Sequence, residues 1–110
     1  MNEEERRKKE DEQRERQKQE HLRLDGRVHD KLIKQPQFVA ITQRSYCTNL
    51  EDNAHLKRWL EEHGWETKES AWDDKHERYK LVISNGKRTV EVIGTQEPEA
   101  VCRAFLKVAP

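Results

Sequence analysis

The chain has 110 residues, of which 32% are hydrophobic and 40% charged, and its 22 basic and 22 acidic side chains balance to a formal net charge of zero. That length allows one compact domain, and the balance removes any overall field drawing the protein to nucleic acid or to an anionic membrane. No apolar run approaches a membrane span and the N-terminus carries no signal-peptide core, so an intracellular, cytoplasmic protein with two reduced thiols, Cys47 and Cys102, is expected, with a Cys47–Cys102 disulfide as the lesser alternative.

The first segment, Glu3 to Glu20, contains no apolar residue. From Met1 to Glu20 there are eight acidic and seven basic side chains. A nucleic-acid arm needs excess positive charge to displace counterions, and a coiled coil needs apolar residues at its seam; this segment has neither. Its acid-before-base pairs at i, i+4 (Glu3–Arg7, Glu4–Lys8, Glu5–Lys9, Glu10–Arg14, Glu12–Arg16) each stabilise a helix by about 0.2–0.5 kcal/mol. With good helix formers throughout and no Gly or Pro, a solvated single helix is predicted, against the alternative of a disordered charged tail. Residues before Leu22 have nothing apolar to bury, so a chain starting there should keep its thermal stability.

Further on, Leu24, Val28 and Leu32 form one stripe at i, i+4, i+8, flanked by Leu22 and Ile33. Asp25-Gly26 is a candidate break, since Gly costs about 1 kcal/mol in a helix interior. Pro36 ends the pattern. The stripe must bury against the following domain, a second copy or a partner, and docking on the chain's own domain is the expectation.

Phe38, Val39, Ala40 and Ile41 read as a strand covered on both sides. "TNLEDNAHLKRWLEEHG" is a helix with Thr48 and Glu51 as a capping box and Gly64 as a left-handed stop, and Leu56, Trp59, Leu60 and His63 share its core face. "WETKESAW" is a strand. In "RYKLVISNGKRTVEVIG", Asn85-Gly86 signals a two-residue hairpin that pairs Ser84 with Lys87 and Lys80 with Glu91. Tyr79, Leu81, Ile83, Val90 and Val92 then face the core, while Lys80, Val82, Ser84, Lys87, Thr89 and Glu91 face solvent. "TQEPEAVCRAFLKV" closes the chain as a helix capped by Thr95, with Val101, Ala104, Phe105 and Val108 inward and Glu99, Arg103 and Lys107 outward.

The predicted fold class is α+β. A charged, mostly solvated N-terminal helix (residues 1–35) precedes a compact β-α-β-β-β-α domain (residues 36–110), whose antiparallel sheet carries its helices on one face. From residue 48 onward the order α-β-β-β-α resembles a double-stranded-RNA-binding domain. That family sets a basic cluster at the start of its last helix to grip phosphates, whereas here the matching place is "TQEPEA", with Glu97 and Glu99. The family is therefore not assigned.

No motif specifies a chemistry. The five histidines lack ligand spacing, "DDKHE" (Asp73 to Glu77) reads as a solvated turn with Lys75 inside it, and neither cysteine has a histidine beside it. No catalytic residue, metal ligand or cofactor site is expected. The reading that remains is a small non-catalytic binding protein for a protein partner, such as a regulator or inhibitor of a larger complex. If Trp65 faces the core, Trp72 faces outward on an unbroken strand, where Lys68, Lys80, Val82 and Lys87 complete a partner-binding surface on the open sheet face. The alternative is RNA or DNA binding, with bases stacked on Trp72 and phosphates held by the lysines.

Overall fold

The computed structural model describes residues 2–34 and 44–110. The expected strand at Phe38 to Ile41 lies outside the described residues, as does Pro36. The elements in chain order are α1 (Glu3–Leu32), α2 (Leu50–Glu62), β1 (Glu66–Asp73), β2 (Arg78–Ser84), β3 (Thr89–Gly94) and α3 (Glu97–Val108). The class is α+β, with one antiparallel sheet in the order β1-β2-β3.

Helix α1 starts where Asn2 accepts a hydrogen bond from the Glu5 amide, and three glutamates occupy its first turn, the favourable end of the helix dipole for acids. Arg7 donates to Glu3 at 3.0 Å, closing one of the expected i, i+4 pairs. The helix then runs through Asp25-Gly26 without a break. Burial explains why: Leu24, Val28 and Leu32, on either side of Gly26, are at most 1% exposed in the core shared with α2, α3 and the sheet. Burying such side chains contributes roughly 1.5–3 kcal/mol each, which outweighs the cost of one helical glycine. The stripe docks on its own domain, as expected.

Helix α3 is the central element. It packs on β2 and β3 and is flanked by α1 and α2. The sheet face beneath it carries Leu81, Ile83, Val90 and Val92, all buried, and β3 alternates strictly between exposed and buried residues. Tyr46, Leu56, Trp59, Trp65, Val101 and Phe105 complete that core, with Phe105 meeting Trp59 edge to face.

Three local expectations are corrected. The cap of α2 is Asn49, which accepts from the Asp52 amide at 3.0 Å, so the Thr48–Glu51 box is displaced by one residue; Gly64 ends the helix at φ +83° as expected. The hairpin pairs Ser84 with Thr89 and Val82 with Glu91, making a four-residue loop in place of a two-residue turn. Asn85 holds that loop by accepting from the Lys87 and Arg88 amides, with Gly86 at φ +86°. A slip of two residues preserves side-chain parity, so the assigned faces survive, and Lys80 still reaches Glu91 at 4.0 Å. Finally, Thr95 does not cap α3; Gln96 is at that position, and Thr95 donates instead to the carboxylate of Glu99. Among the described residues no helix is long and apolar enough to cross a membrane.

Candidate functional site

The expected binding surface is divided by one irregularity. Strand β1 carries a bulge between Thr67 and Glu69, where Lys68 is the extra residue. One added residue inverts side-chain parity for the rest of the strand. Trp65 and Thr67 face the helices, and after the bulge Ser70, opposite Leu81, does so as well. These residues line one pocket with Leu60 of α2. Trp72 stands opposite Tyr79, whose hydroxyl donates to Glu97 of α3, so Trp72 is also on the helix side. It is 50% exposed because α3 covers β2 and β3 and leaves the end of β1 at the rim.

Trp72 is thus exposed, as expected, but not beside Lys80 and Val82. Those two lie half-buried on the open face, where Lys80 is held between Glu69 at 3.5 Å and Glu91 at 4.0 Å. Lys68 pairs with Glu66 at 3.1 Å, and Lys87 is exposed in the hairpin loop. An unbroken alternation was the premise that put the five residues on one surface, and a bulge leaves no signature in this sequence beyond the weak alternation of "ETKESAW".

A second constellation lies under α1. Glu99 was expected outside and is 3% exposed. It accepts hydrogen bonds from His21 at 2.6 Å, from Thr95 at 2.7 Å and from Arg103 at 3.1 Å, and Arg103 continues to Glu20 at 3.3 Å. Burial pushes the Glu99 carboxyl up, but the bonds from Thr95, His21 and Arg103 outweigh it and hold the carboxyl below the usual range. The same face of α1 carries Asp25, one turn beyond His21. Asp25 is 4% exposed and accepts the Cys47 amide at 2.9 Å.

Cys47 and Cys102, separated by 55 residues in sequence, meet with their sulfurs 3.2 Å apart and both fully buried. Asn53 donates to the carbonyls of Tyr46 and Pro98, both at 2.9 Å, and its amide nitrogen stands 3.9 Å from the Cys102 sulfur. The hydrogen bond to Cys102, burial and the Asp25 carboxylate all push the Cys47 thiol far up. A thiol so shifted holds its proton and is a poor nucleophile in this state. A groove of about 610 Å³, lined by Arg14, Lys18, His21, Asp25, Ser45, Thr48 and Thr95 among others, reaches this cluster at Asp25.

Among the described residues, Asp25, Cys47 and Cys102 form the only group of three or more side chains able to hold a metal ion. The "DDKHE" turn is not one. There His76 bonds Asp73 at 2.7 Å, and that hydrogen bond holds the half-buried Asp73 carboxyl below its usual range. His63 ends α2, bonding the Trp59 carbonyl at 2.7 Å and stacking on the Trp59 ring. Where a double-stranded-RNA-binding domain would present cations, Glu97 is bonded by Lys57 and Tyr79 and Glu99 is buried. Set against known protein families, curated proteins and solved structures, the chain matches none.

Proposed function

We propose that the chain is a small non-catalytic binding protein of the cytoplasm that acts on a protein partner, as a regulator or inhibitor of a larger complex. The observation that carries this reading is Trp72, a half-exposed indole on a hydrogen-bonded strand while Trp59 and Trp65 are buried. An aromatic anchor held by a rigid strand loses little entropy on docking, and Trp, Tyr and Arg dominate the energetics of protein interfaces. Tyr79 stands opposite Trp72 in the ladder, and Arg78, 3.6 Å from Asp73, supplies a charged rim. The contact surface is therefore centred on the Trp72 end of the sheet, with the exposed part of α1 as a further candidate contact. The nucleic-acid alternative loses its main support, because its stacking residue is not on the face that bears Lys80.

The test compares Trp72→Ala, Trp65→Ala and Lys80→Ala in a partner-capture assay, with a melting curve for each variant. Trp72→Ala is expected to melt like the parent and to weaken binding by about thirtyfold, the scale of losing one aromatic anchor. Trp65→Ala is expected to lower stability by about 3–5 kcal/mol. Capture that survives Trp72→Ala but fails with Lys80→Ala would move the interface to the open face. Nucleic acid that co-purifies and is removed by salt would favour the alternative.

A further inference from the structure

The cluster at Asp25, Cys47 and Cys102 has no role in the Trp72 surface, and its chemistry asks for a ligand. Its three donor atoms lie within 4.8 Å of one another, and all three residues are buried. Among the described residues no lysine, arginine or histidine forms an ion pair with Asp25; its hydrogen bond is to the neutral amide of Cys47. A carboxylate taken out of water without a cation is costly, and two sulfurs in contact beside it are the donors that a thiophilic cation selects. A disulfide between the two sulfurs would leave that carboxylate as it is, whereas a cation uses all three groups. The polar surroundings fit as well. Asn53, fixed by two carbonyls, points its amide towards the Cys102 sulfur, and its own side-chain oxygen is buried without a partner. Hydrogen-bond partners of this kind orient and stabilise metal-bound thiolates.

We propose that Asp25, Cys47 and Cys102 form a site for a divalent cation of the zinc type, bound by two thiolates and one carboxylate. On binding, the two thiol protons pass to solvent and two metal–sulfur bonds form, with no change of oxidation state. Sulfurs on a tetrahedral zinc ion stand about 3.7 Å apart, so the pair opens by about half an ångström from its 3.2 Å separation. Of the three ligands only Asp25 lines the groove, which makes the groove the access route and gives a fourth ligand, a water molecule, its place. The three residues come from α1, from the turn before α2 and from α3, so the bound cation ties the N-terminal helix to the domain.

The test uses the full reduced chain and cobalt(II) as a spectroscopic stand-in for zinc. One equivalent of Co²⁺ is expected to give thiolate-to-metal charge transfer and the visible bands of a tetrahedral site, and zinc is expected to bleach them. Cys47→Ser and Cys102→Ser should each weaken Co²⁺ binding and cut the charge-transfer intensity per bound cobalt to about half or less, and the double variant should abolish it. Asp25→Asn should weaken Co²⁺ binding by more than the roughly 10–100-fold that loss of a ligand's hydrogen-bond partner costs. Should the serine variants fold poorly, the parent itself decides. Its melting temperature should rise with zinc concentration, and native mass spectrometry should show one zinc bound with two protons lost. Two results overturn the proposal: a reduced chain, its thiols shown free by a thiol reagent in denaturant, that takes up no Co²⁺; or charge transfer of undiminished intensity in well-folded Cys102→Ser.

Discussion

The two ends of α1 are built from one continuous helix and behave as two kinds of matter. From Glu3 to Gln19 every residue is exposed, and the helix rests on its cap, its first-turn glutamates and local charge pairs. From His21 to Leu32 the same helix buries Leu24, Val28 and Leu32 in the core and brings His21 and Asp25 against the buried partners Glu99 and Cys47. The first part is held by energies of a few tenths of a kcal/mol per contact, the second by burial worth several times more. Helical conformation alone thus says little about how strongly a segment belongs to a fold. What decides is whether one face has somewhere to go.

The sharpest break of this comparison is a cavity at the docked end. Leu24→Ala or Val28→Ala is expected to lower global stability, by about 2–5 kcal/mol for the leucine and somewhat less for the valine, measured by denaturant unfolding. A loss below about 0.5 kcal/mol would mean that the stripe is not core.

Next is a truncation that starts the chain at Leu22. It removes His21, so Glu99 stays buried without its imidazole partner, and in place of the unchanged stability that the sequence implied a loss of about 1–3 kcal/mol is expected, even though residues 3–21 carry no apolar side chain. The same carboxylate gives a pH signature. Its folded pKa is depressed, so its contribution is complete above the unfolded carboxylate pKa and is lost as pH falls through the folded value. Glu99→Gln should flatten that acid limb in a series of melting curves across pH, and an unchanged limb would show that Glu99 is not its source.

Smaller, and opposite in sign, is Gly26→Ala. A Cβ at this helical position meets nothing within 4 Å, so the gain in helix propensity is unopposed and stability should rise by roughly 0.5–1 kcal/mol. A decrease would indicate that the helix is interrupted there after all. The smallest effect is expected from deleting residues 2–15. Unfolding midpoints should then match the parent within about 0.5 kcal/mol, because the segment ends before Gln17, whose amide is the first to reach Thr95, at 3.0 Å.

Much of the fold was legible from local pattern. Helical and alternating periodicities marked α2, β2, β3 and α3, and the facing of β2 and β3 survived a two-residue error in their register because parity repeats every second residue. The stripe at Leu24, Val28 and Leu32 required a partner surface and found it on the chain's own domain. Caps were less legible. Thr48 and Asn49 are both favoured cap residues and only backbone geometry chooses between them; at α3 the cap position falls on Gln96, whose side chain makes no capping hydrogen bond, while Thr95 bonds Glu99.

What only the tertiary structure decided is where elements distant in sequence meet. Glu99 reads as an outward residue on an isolated α3 and becomes buried because α1 lies over it. Trp72 changes face because one bulge adds one residue, a change of about 3.4 Å of strand that no composition records. Cys47 and Cys102 stand 55 residues apart in sequence, and their sulfurs meet only because the turn before α2 and the middle of α3 close on each other beside Asp25. Secondary structure follows from contacts within a few residues and is therefore written locally. The polar cluster is made of contacts spanning 22 to 78 residues, and it exists only once the chain has chosen its packing.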